Sequence, residues 1–195
     1  THPNDGITYR ASDMILAGHS DAAYLNVPRS RSRAGAYIFL SEDDPIPRLN
    51  GPVLSLAKII KFVMSSAADA ELAALFLTAK DMVPLCQTLI KMGWPQPKTP
   101  VQVDNSTAVG VNNQTIVHKR TKYMDMRFHW LRDRESQKQF RFYWRPGKDN
   151  LAEYWTKHFC VAHHKQMRPQ FLIPSSVLTE LKASLKRHPP AAASA

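Results

Sequence analysis

Four acidic residues stand in segments that are otherwise apolar or small. They are Asp21 in LAGHSDAAYL, Glu71 in VMSSAADAELAALF, Asp104 in PVQVDNSTAV and Glu153 in KDNLAEYWTKH. A carboxylate among buried residues is costly unless a positive charge neutralises it. A hard divalent cation such as Mg²⁺ takes oxygen ligands and neutralises several carboxylates at once. The four acids therefore predict a magnesium site.

Simpler explanations exist for two of the acids. Asp104 precedes Asn105 and Ser106 and could cap a helix, and Glu71 could be a helix-surface acid. Asp21 has no comparable explanation, because Asp is disfavoured inside a strand.

The elements that would position these acids form a mixed α/β pattern. Apolar or alternating runs predict strands over residues 14–24, 36–40, 52–64, 101–104 and 140–144. Helical periodicity predicts a first helix capped by Ser65 or Ser66, with Asp69, three residues after Ser66, as a capping partner. Pro84 should kink or interrupt this helix. Further helices are predicted in NSTAVGV and over residues 121–139 and 150–158. Strands and helices mixed in this order indicate one α/β domain.

The net charge of +10 is concentrated in one part of the chain. Residues 1–117 carry ten Lys/Arg and ten Asp/Glu, whereas residues 118–148 carry ten Lys/Arg against three Asp/Glu. Such clustering favours a face that binds a polyanion, since each neutralised phosphate releases counterions. A solvated helix surface is the alternative.

Composition also bears on the compartment. We expect no membrane span, because no apolar run approaches about 18 residues. With only two cysteines and no apolar leader, the chain is expected to be intracellular and not secreted. The opening THPNDGITYR suggests a piece of a longer polypeptide.

Five landmarks occur in order between Met14 and Lys157. They are HSDAAY with RSRAGAYIFL, then VMSSAADAELAAL, VDNSTAVGV, HKRTKYMDMRFHWLRDRE and YWRPGKDNLAEYWTKH. In this order the sequence resembles the ribonuclease H domain of a copia-type LTR retrotransposon polyprotein. The resemblance implies a linker from a preceding reverse transcriptase at residues 1–13, a ribonuclease H-like domain at 14–158, and a partly disordered C-terminal tail at 159–195.

The family implies an α/β fold with a five-stranded mixed sheet flanked by helices. It also implies two Mg²⁺ ions, with Mn²⁺ as an alternative, held by Asp21, Glu71, Asp104 and Glu153 as the catalytic carboxylates. Glu153 stands where the family usually has Asp. The extra methylene displaces a ligand by about an ångström, and Mg²⁺ tolerates distorted octahedra poorly.

The function implied by the resemblance is cleavage of the RNA strand of RNA–DNA hybrids during reverse transcription. Two metal ions about 3.5–4 Å apart can activate a water and stabilise the leaving oxygen. The alternative is a catalytically impaired remnant that binds nucleic acid or serves as a scaffold. The expected partners are the hybrid and the covalently linked reverse transcriptase.

Basic and polar residues near the expected site are the predicted nucleic-acid contacts. Phosphate contacts position a duplex, whereas hybrids are recognised by shape and 2′-hydroxyls. The predicted contacts are Arg29, Arg31 and Arg33 in the first hairpin loop, Asn105, and Lys119, Arg120, Lys122 and Arg127.

Overall fold

The computed structural model describes residues 4–105 and 125–187. These residues divide into two compact units. One comprises residues 11–158, and the other combines residues 1–10 with residues 159–195. The candidate site lies entirely in the first unit.

The first unit is built on a five-stranded sheet. Its strands are β1 (Ile15–Val27), β2 (Arg31–Ser41), β3 (Pro52–Ile59), β4 (Thr99–Val103) and β5 (Phe140–Trp144). Their order across the sheet is β3-β2-β1-β4-β5. The β1–β2 and β2–β3 pairs are antiparallel, and the β1–β4 and β4–β5 pairs are parallel. The predicted five-stranded mixed sheet is confirmed.

Among the described residues, the helices that accompany this sheet are α1 (Ala67–Lys91), α2 (Asp125–Ser136) and the short α3 (Glu153–Thr156). A 3-10 turn at Gly147–Asp149 precedes α3. The predicted final helix over 150–158 is therefore shorter than expected. The helix predicted in NSTAVGV, and the part of the next helix before Asp125, lie outside the described residues.

Helix α1 begins as its sequence predicts. The Ser66 hydroxyl accepts a hydrogen bond from the Asp69 N–H at 3.1 Å, which satisfies one of the free donors of the first turn. The Asp69 carboxylate in turn accepts the Ser65 N–H at 3.0 Å. This cap fixes the start of the helix, and with it the position of Glu71.

Of the two predicted effects of Pro84, a kink or an interruption, the interruption does not occur, because α1 continues from Ala67 to Lys91. Proline removes one hydrogen-bond donor from a helix. Pro84 is exposed, so the freed carbonyl one turn earlier can turn to water. Met82 and Leu89 on the opposite side are buried and hold the helix to the core across that point.

Helix α1 supplies the apolar layer against the sheet. Ala70, Leu75 and Met82 join Ile38 and Val101 in one buried cluster. Although no membrane span was expected from the sequence, α1 is long and apolar enough by length and composition to cross a membrane. Buried core helices pass the same test, and the apolar face of α1 packs in the core.

The β1–β2 hairpin is tighter than predicted. β1 continues past an irregularity between Ala23 and Val27, and Val27 still pairs with Arg31. Only three residues connect the strands, with Arg29 and Ser30 at φ of 64° and 52°. Arg31 and Arg33 therefore belong to β2, and their predicted place in the loop is wrong.

The second unit contains α4 (Val161–Phe171) and α5 (Ser175–Arg187). Gly6 and Ile173 form an antiparallel bridge with backbone hydrogen bonds of 3.0 and 2.8 Å. The Asp5 side chain accepts a hydrogen bond from the Ser175 N–H at 3.2 Å. Residues expected as a linker and residues expected as a tail thus pair with each other. The end of the tail, from residue 188, lies outside the described residues.

Candidate active site

Asp21 projects from the centre of the sheet. β1 lies between β2 and β4, and Asp21 on β1 pairs with Gly35 on β2. The side chain is buried, with 1% of the residue exposed. Its Oδ2 accepts a hydrogen bond from the Thr156 hydroxyl on α3. The Thr156 hydroxyl thus satisfies one oxygen of this buried carboxylate.

Glu71 reaches the same place from the first turns of α1. Its Oε1 accepts a hydrogen bond from the Ala22 N–H, next to Asp21, at 3.3 Å. Its Oε2 is buried and has no hydrogen-bond partner among the described residues. The structure therefore disfavours the alternative that Glu71 is a helix-surface acid.

Asp104 follows directly after β4. Its carbonyl accepts a hydrogen bond from the Trp144 indole N–H at 2.9 Å. Gly147 passes so close that a Cβ there would lie 2.9 Å from Asp104 Oδ2. Whether Asp104 also caps a helix depends on residues outside those described.

These three acids converge. One carboxylate oxygen from each of Asp21, Glu71 and Asp104 lies within 4.8 Å of the others. The sheet accounts for this convergence, because β1 and β4 are parallel neighbours and α1 packs against both β1 and β2. Side chains at the carboxyl ends of adjacent parallel strands meet in the crevice where α/β folds place ligands.

The electrostatics of the cluster are those of crowded carboxylates. Burial, together with the charges of Asp104 and Glu153, raises the pKa of Asp21 to about 7. Burial and the charges of Asp21 and Asp104 raise the pKa of Glu71 to about 9. The pKa of Asp104 is also raised, mainly by burial. Without a cation, the cluster therefore holds protons at neutral pH.

Glu153 lies at the edge of this cluster, on α3. Its charge contributes to the raised pKa values of Asp21 and Asp104. Its Oε1 is in contact with the Lys157 ammonium, and the two side chains are 29% and 42% exposed. The fourth predicted ligand is thus near the other three, and a lysine engages it.

Several residues that the sequence did not single out hold α3 beside Asp21. His19 Nδ1 accepts the Leu151 N–H at 3.1 Å, and Asn150 donates to the Ser20 carbonyl at 2.8 Å. Gln102 donates to the Asp149 carbonyl at 3.0 Å. These partners lie up to 132 residues apart in the chain, so no local pattern could reveal them.

His19 is a neutral acceptor in this arrangement. Burial, assisted by the positive charge of Arg145, lowers its pKa to about 4. Neutral imidazole keeps one nitrogen free to accept. By accepting the Leu151 N–H at this nitrogen, His19 positions the segment that leads into α3.

The predicted nucleic-acid contacts are only partly described. Arg29 is exposed in the β1–β2 turn, and Arg31 and Arg33 are half-buried on β2. The Arg127 guanidinium, on α2, lies 4.2 Å from the centre of the Phe62 ring. Asn105 directly follows Asp104 and is half-buried. Lys119, Arg120 and Lys122 lie outside the described residues.

Comparison with known proteins shows which sequences and structures this chain resembles. No family model matches it. Over 153 residues, 78% of the chain, it is 28% identical to the retrovirus-related Pol polyprotein from transposon TNT 1-94 of Nicotiana tabacum. The chain spans 11% of the length of that polyprotein.

The fold is similar to that of LC11-RNase H1, isolated from compost by a metagenomic approach. The TM-score is 0.55 at 14% identity, over 73% of this chain and 93% of that one. For the crystal structure of LC11-RNase H1 in complex with an RNA/DNA hybrid, the TM-score is 0.53 at 14% identity, over 72% and 93%. The resemblance to the ribonuclease H domain of a retroelement polyprotein is therefore confirmed, in sequence through the transposon relative and in fold through ribonuclease H1.

Proposed function

We propose that this chain is a divalent-metal-dependent endoribonuclease that cuts the RNA strand of RNA–DNA hybrids during retrotransposon reverse transcription. The observation that carries the proposal is the convergence of Asp21, Glu71 and Asp104 within 4.8 Å, in a ribonuclease H fold. Glu153 is proposed as the fourth catalytic carboxylate.

The donor set fits a hard cation. All the converging atoms are carboxylate oxygens, which Mg²⁺ and Mn²⁺ accept as ligands. The buried Glu71 Oε2 has no hydrogen-bond donor among the described residues, so a cation is the natural partner of this oxygen. Two bound ions, held by Asp21, Glu71, Asp104 and Glu153, would supply Lewis-acid activation of water and stabilisation of the leaving oxygen.

The protein's own contribution is to orient these oxygens in advance. The Thr156 hydroxyl fixes one oxygen of Asp21, and the Ala22 N–H fixes one oxygen of Glu71. Asp104 follows β4, where its carbonyl accepts the Trp144 indole N–H, and its carboxylate lies close to Gly147. Groups fixed before the substrate arrives need little reorganisation during the reaction.

The hybrid is proposed as the substrate because LC11-RNase H1 has been crystallised with an RNA/DNA hybrid. The surplus of basic residues supports binding of a polyanion. A transposon Pol relative supports a role in reverse transcription, with a linked reverse transcriptase as partner. An intracellular location is proposed from the sequence alone. The assignment to the copia type rests on the sequence landmarks.

The test is cleavage of a hybrid labelled on the RNA strand, with Mg²⁺ or Mn²⁺, by the full chain and by Asp104→Asn. We expect cleavage by the parent and a loss of about 100-fold or more in the variant, because metal-assisted stabilisation is worth several kcal/mol. Asp81→Asn, at an acid paired with Lys58 on the surface, is the control and should cleave normally. Equal rates for Asp104→Asn and the parent would overturn the assignment of the site.

One observation favours a second candidate, a domain that binds the hybrid without cutting it. Glu153 replaces the usual Asp, and its carboxylate contacts Lys157. If the longer side chain disables the site, the parent binds but does not cleave, and Glu153→Asp restores cleavage. Cleavage by the parent removes this candidate.

A further inference from the structure

The ion pair on α3 lies beside the carboxylate cluster. Glu153 and Lys157 are four residues apart, and the Lys157 ammonium contacts Glu153 Oε1. The Lys157 N–H also donates to the Glu153 carbonyl at 3.3 Å, which closes the last turn of the helix. The adjacent residue, Thr156, donates its hydroxyl to Asp21. The lysine is therefore attached to the same turn that touches the buried carboxylate.

The charge of Lys157 extends over the whole cluster. It lowers the pKa values of Asp21, Glu71 and Asp104, partly offsetting the effect of burial. Partial burial alone would lower the pKa of Lys157. Contact with Glu153 and the charges of Asp21 and Asp104 outweigh this effect, so the pKa of Lys157 is raised. Lys157 thus remains charged and supplies positive charge to the cluster from within the chain.

We propose that Lys157 is a positioning residue whose ammonium serves as the internal counter-cation of the metal-free site. Before a divalent cation can bind the Glu153 carboxylate, Lys157 must release it. This inference rests on the proposed function, since it concerns the same metal site. A divalent cation and an ammonium that share one carboxylate repel each other, so the two compete. The lysine stabilises the empty site and weakens its affinity for the metal.

The glutamate itself fits this role. Glu placed four residues before Lys is the favourable orientation for a helical ion pair. The shorter side chain of Asp at position 153 would reach less far toward Lys157. The departure from the family's usual Asp would therefore create the pair that holds the empty site.

The test compares the full chain with Lys157→Met, which retains an unbranched apolar stem but removes the charge, and with Lys157→Arg, which retains the charge. Lys58→Met is the matched control, because Lys58 forms a 2.8 Å ion pair with Asp81 and is 56% exposed. Asp104→Asn reports on the metal site itself. Thermal unfolding is measured in EDTA, and Mg²⁺ and Mn²⁺ affinities are measured by calorimetry.

We expect Lys157→Met to unfold at a lower temperature in EDTA than the parent. It should bind the divalent cation about three- to fivefold more tightly, the range expected when a partly exposed charge of the same sign is removed. Lys157→Arg should stay within about twofold of the parent affinity, and Lys58→Met should leave it unchanged.

The possible failures are distinguishable. The metal site stands if the parent binds the cation and Asp104→Asn does not. If Lys157→Met then shows unchanged or weaker affinity than the parent, the counter-cation inference is wrong. If the parent binds no cation, or Asp104→Asn binds as tightly as the parent, the proposed metal site is wrong and the inference falls with it.

Discussion

At the scale of single residues, the buried carboxylates hold protons that exposed acids would have lost. Their pKa values of about 7 for Asp21 and about 9 for Glu71 lie well above those of acids in water. A metal ligand must be deprotonated, so cation binding releases protons and strengthens as pH rises toward 9. The same shifts make the stability of the metal-free protein depend on pH.

The sign of that dependence follows from proton uptake. Between the unfolded and folded pKa values of each acid, the folded state binds more protons, so stability falls as pH rises through this window. His19, with a pKa of about 4, acts in the opposite direction only below about pH 6.5. In EDTA, we therefore expect the unfolding temperature to fall between pH 7 and pH 9.

Glu71→Gln is the variant that tests this pH dependence. It should unfold at a higher temperature than the parent in EDTA at pH 9 and show a smaller loss between pH 7 and pH 9. Calorimetric scans at several pH values measure both quantities, with Asp81→Asn, at a surface ion pair, as the control. If the unfolding temperature of Glu71→Gln falls between pH 7 and pH 9 as much as that of the parent, Glu71 is not the source of the pH dependence.

Sequence reasoning found the acids because residue type and apolar surroundings are visible in a single chain. The three converging carboxylates were among the four predicted, although their role as ligands stays a prediction. Lys157 and His19 were not found. Their roles depend on contacts with Glu153, four residues away, and with the Leu151 N–H, 132 residues away, and neither residue type is unusual in its segment.

At the scale of elements, the close packing of α3 on β2 positions the site. Gly35 lies opposite Asp21 on β2. A Cβ there would lie 2.6 Å from Thr156 Cγ2 and 2.8 Å from the Ala152 carbonyl oxygen. The Ala152 carbonyl belongs to the backbone and cannot move aside as the end of a flexible side chain can. Only glycine at position 35 therefore permits α3 to pack this close to β2.

Gly35→Ala should therefore push α3 away from the sheet. We expect a loss of about 1–3 kcal/mol in the free energy of unfolding, typical of overpacking. Hybrid cleavage should fall as well, because Thr156 and Glu153 move with the helix. Denaturant unfolding and the cleavage assay measure these effects.

Gly18→Ala is the matched control on β1. Its new Cβ would meet the flexible end of Met82 at 3.0 Å rather than backbone. It should cost less stability and leave cleavage intact. Equal loss of cleavage in both variants would contradict the role assigned to α3.

Elements with a strong local pattern were predicted well, and those set by tertiary contacts were not. β5 was predicted with its observed bounds, and of the two predicted caps, Ser65 and Ser66, the structure uses Ser66. β2 was predicted too short because Arg31 and Arg33 look like loop residues, whereas pairing with β1 and β3 extends the strand through them. The helices α4 and α5 were not predicted.

At the scale of the whole molecule, charge is the property that bears on function. The window 118–148 carries a balance of +7, ten Lys/Arg against three Asp/Glu. Binding of a hybrid should therefore weaken steeply with salt. Arg127→Ala should weaken binding across hybrid sequences and reduce the slope of log affinity against log salt by about 0.9, if it loses one phosphate contact.

Arg141→Ala provides the control for Arg127. Arg141 belongs to the same window and also lies over an aromatic ring, 4.9 Å from the centre of Tyr143, but it is not a predicted contact. Fluorescence anisotropy at several salt concentrations measures both slopes. Equal changes in the two variants would show a diffuse effect of net charge rather than a contact made by Arg127.

The Gly6–Ile173 bridge joins the segment before β1 to the segment between α4 and α5. Shortening from either side breaks the same pair and leaves backbone groups on the other side without their partners. A shortened form of the chain should therefore keep both bridged segments or remove both.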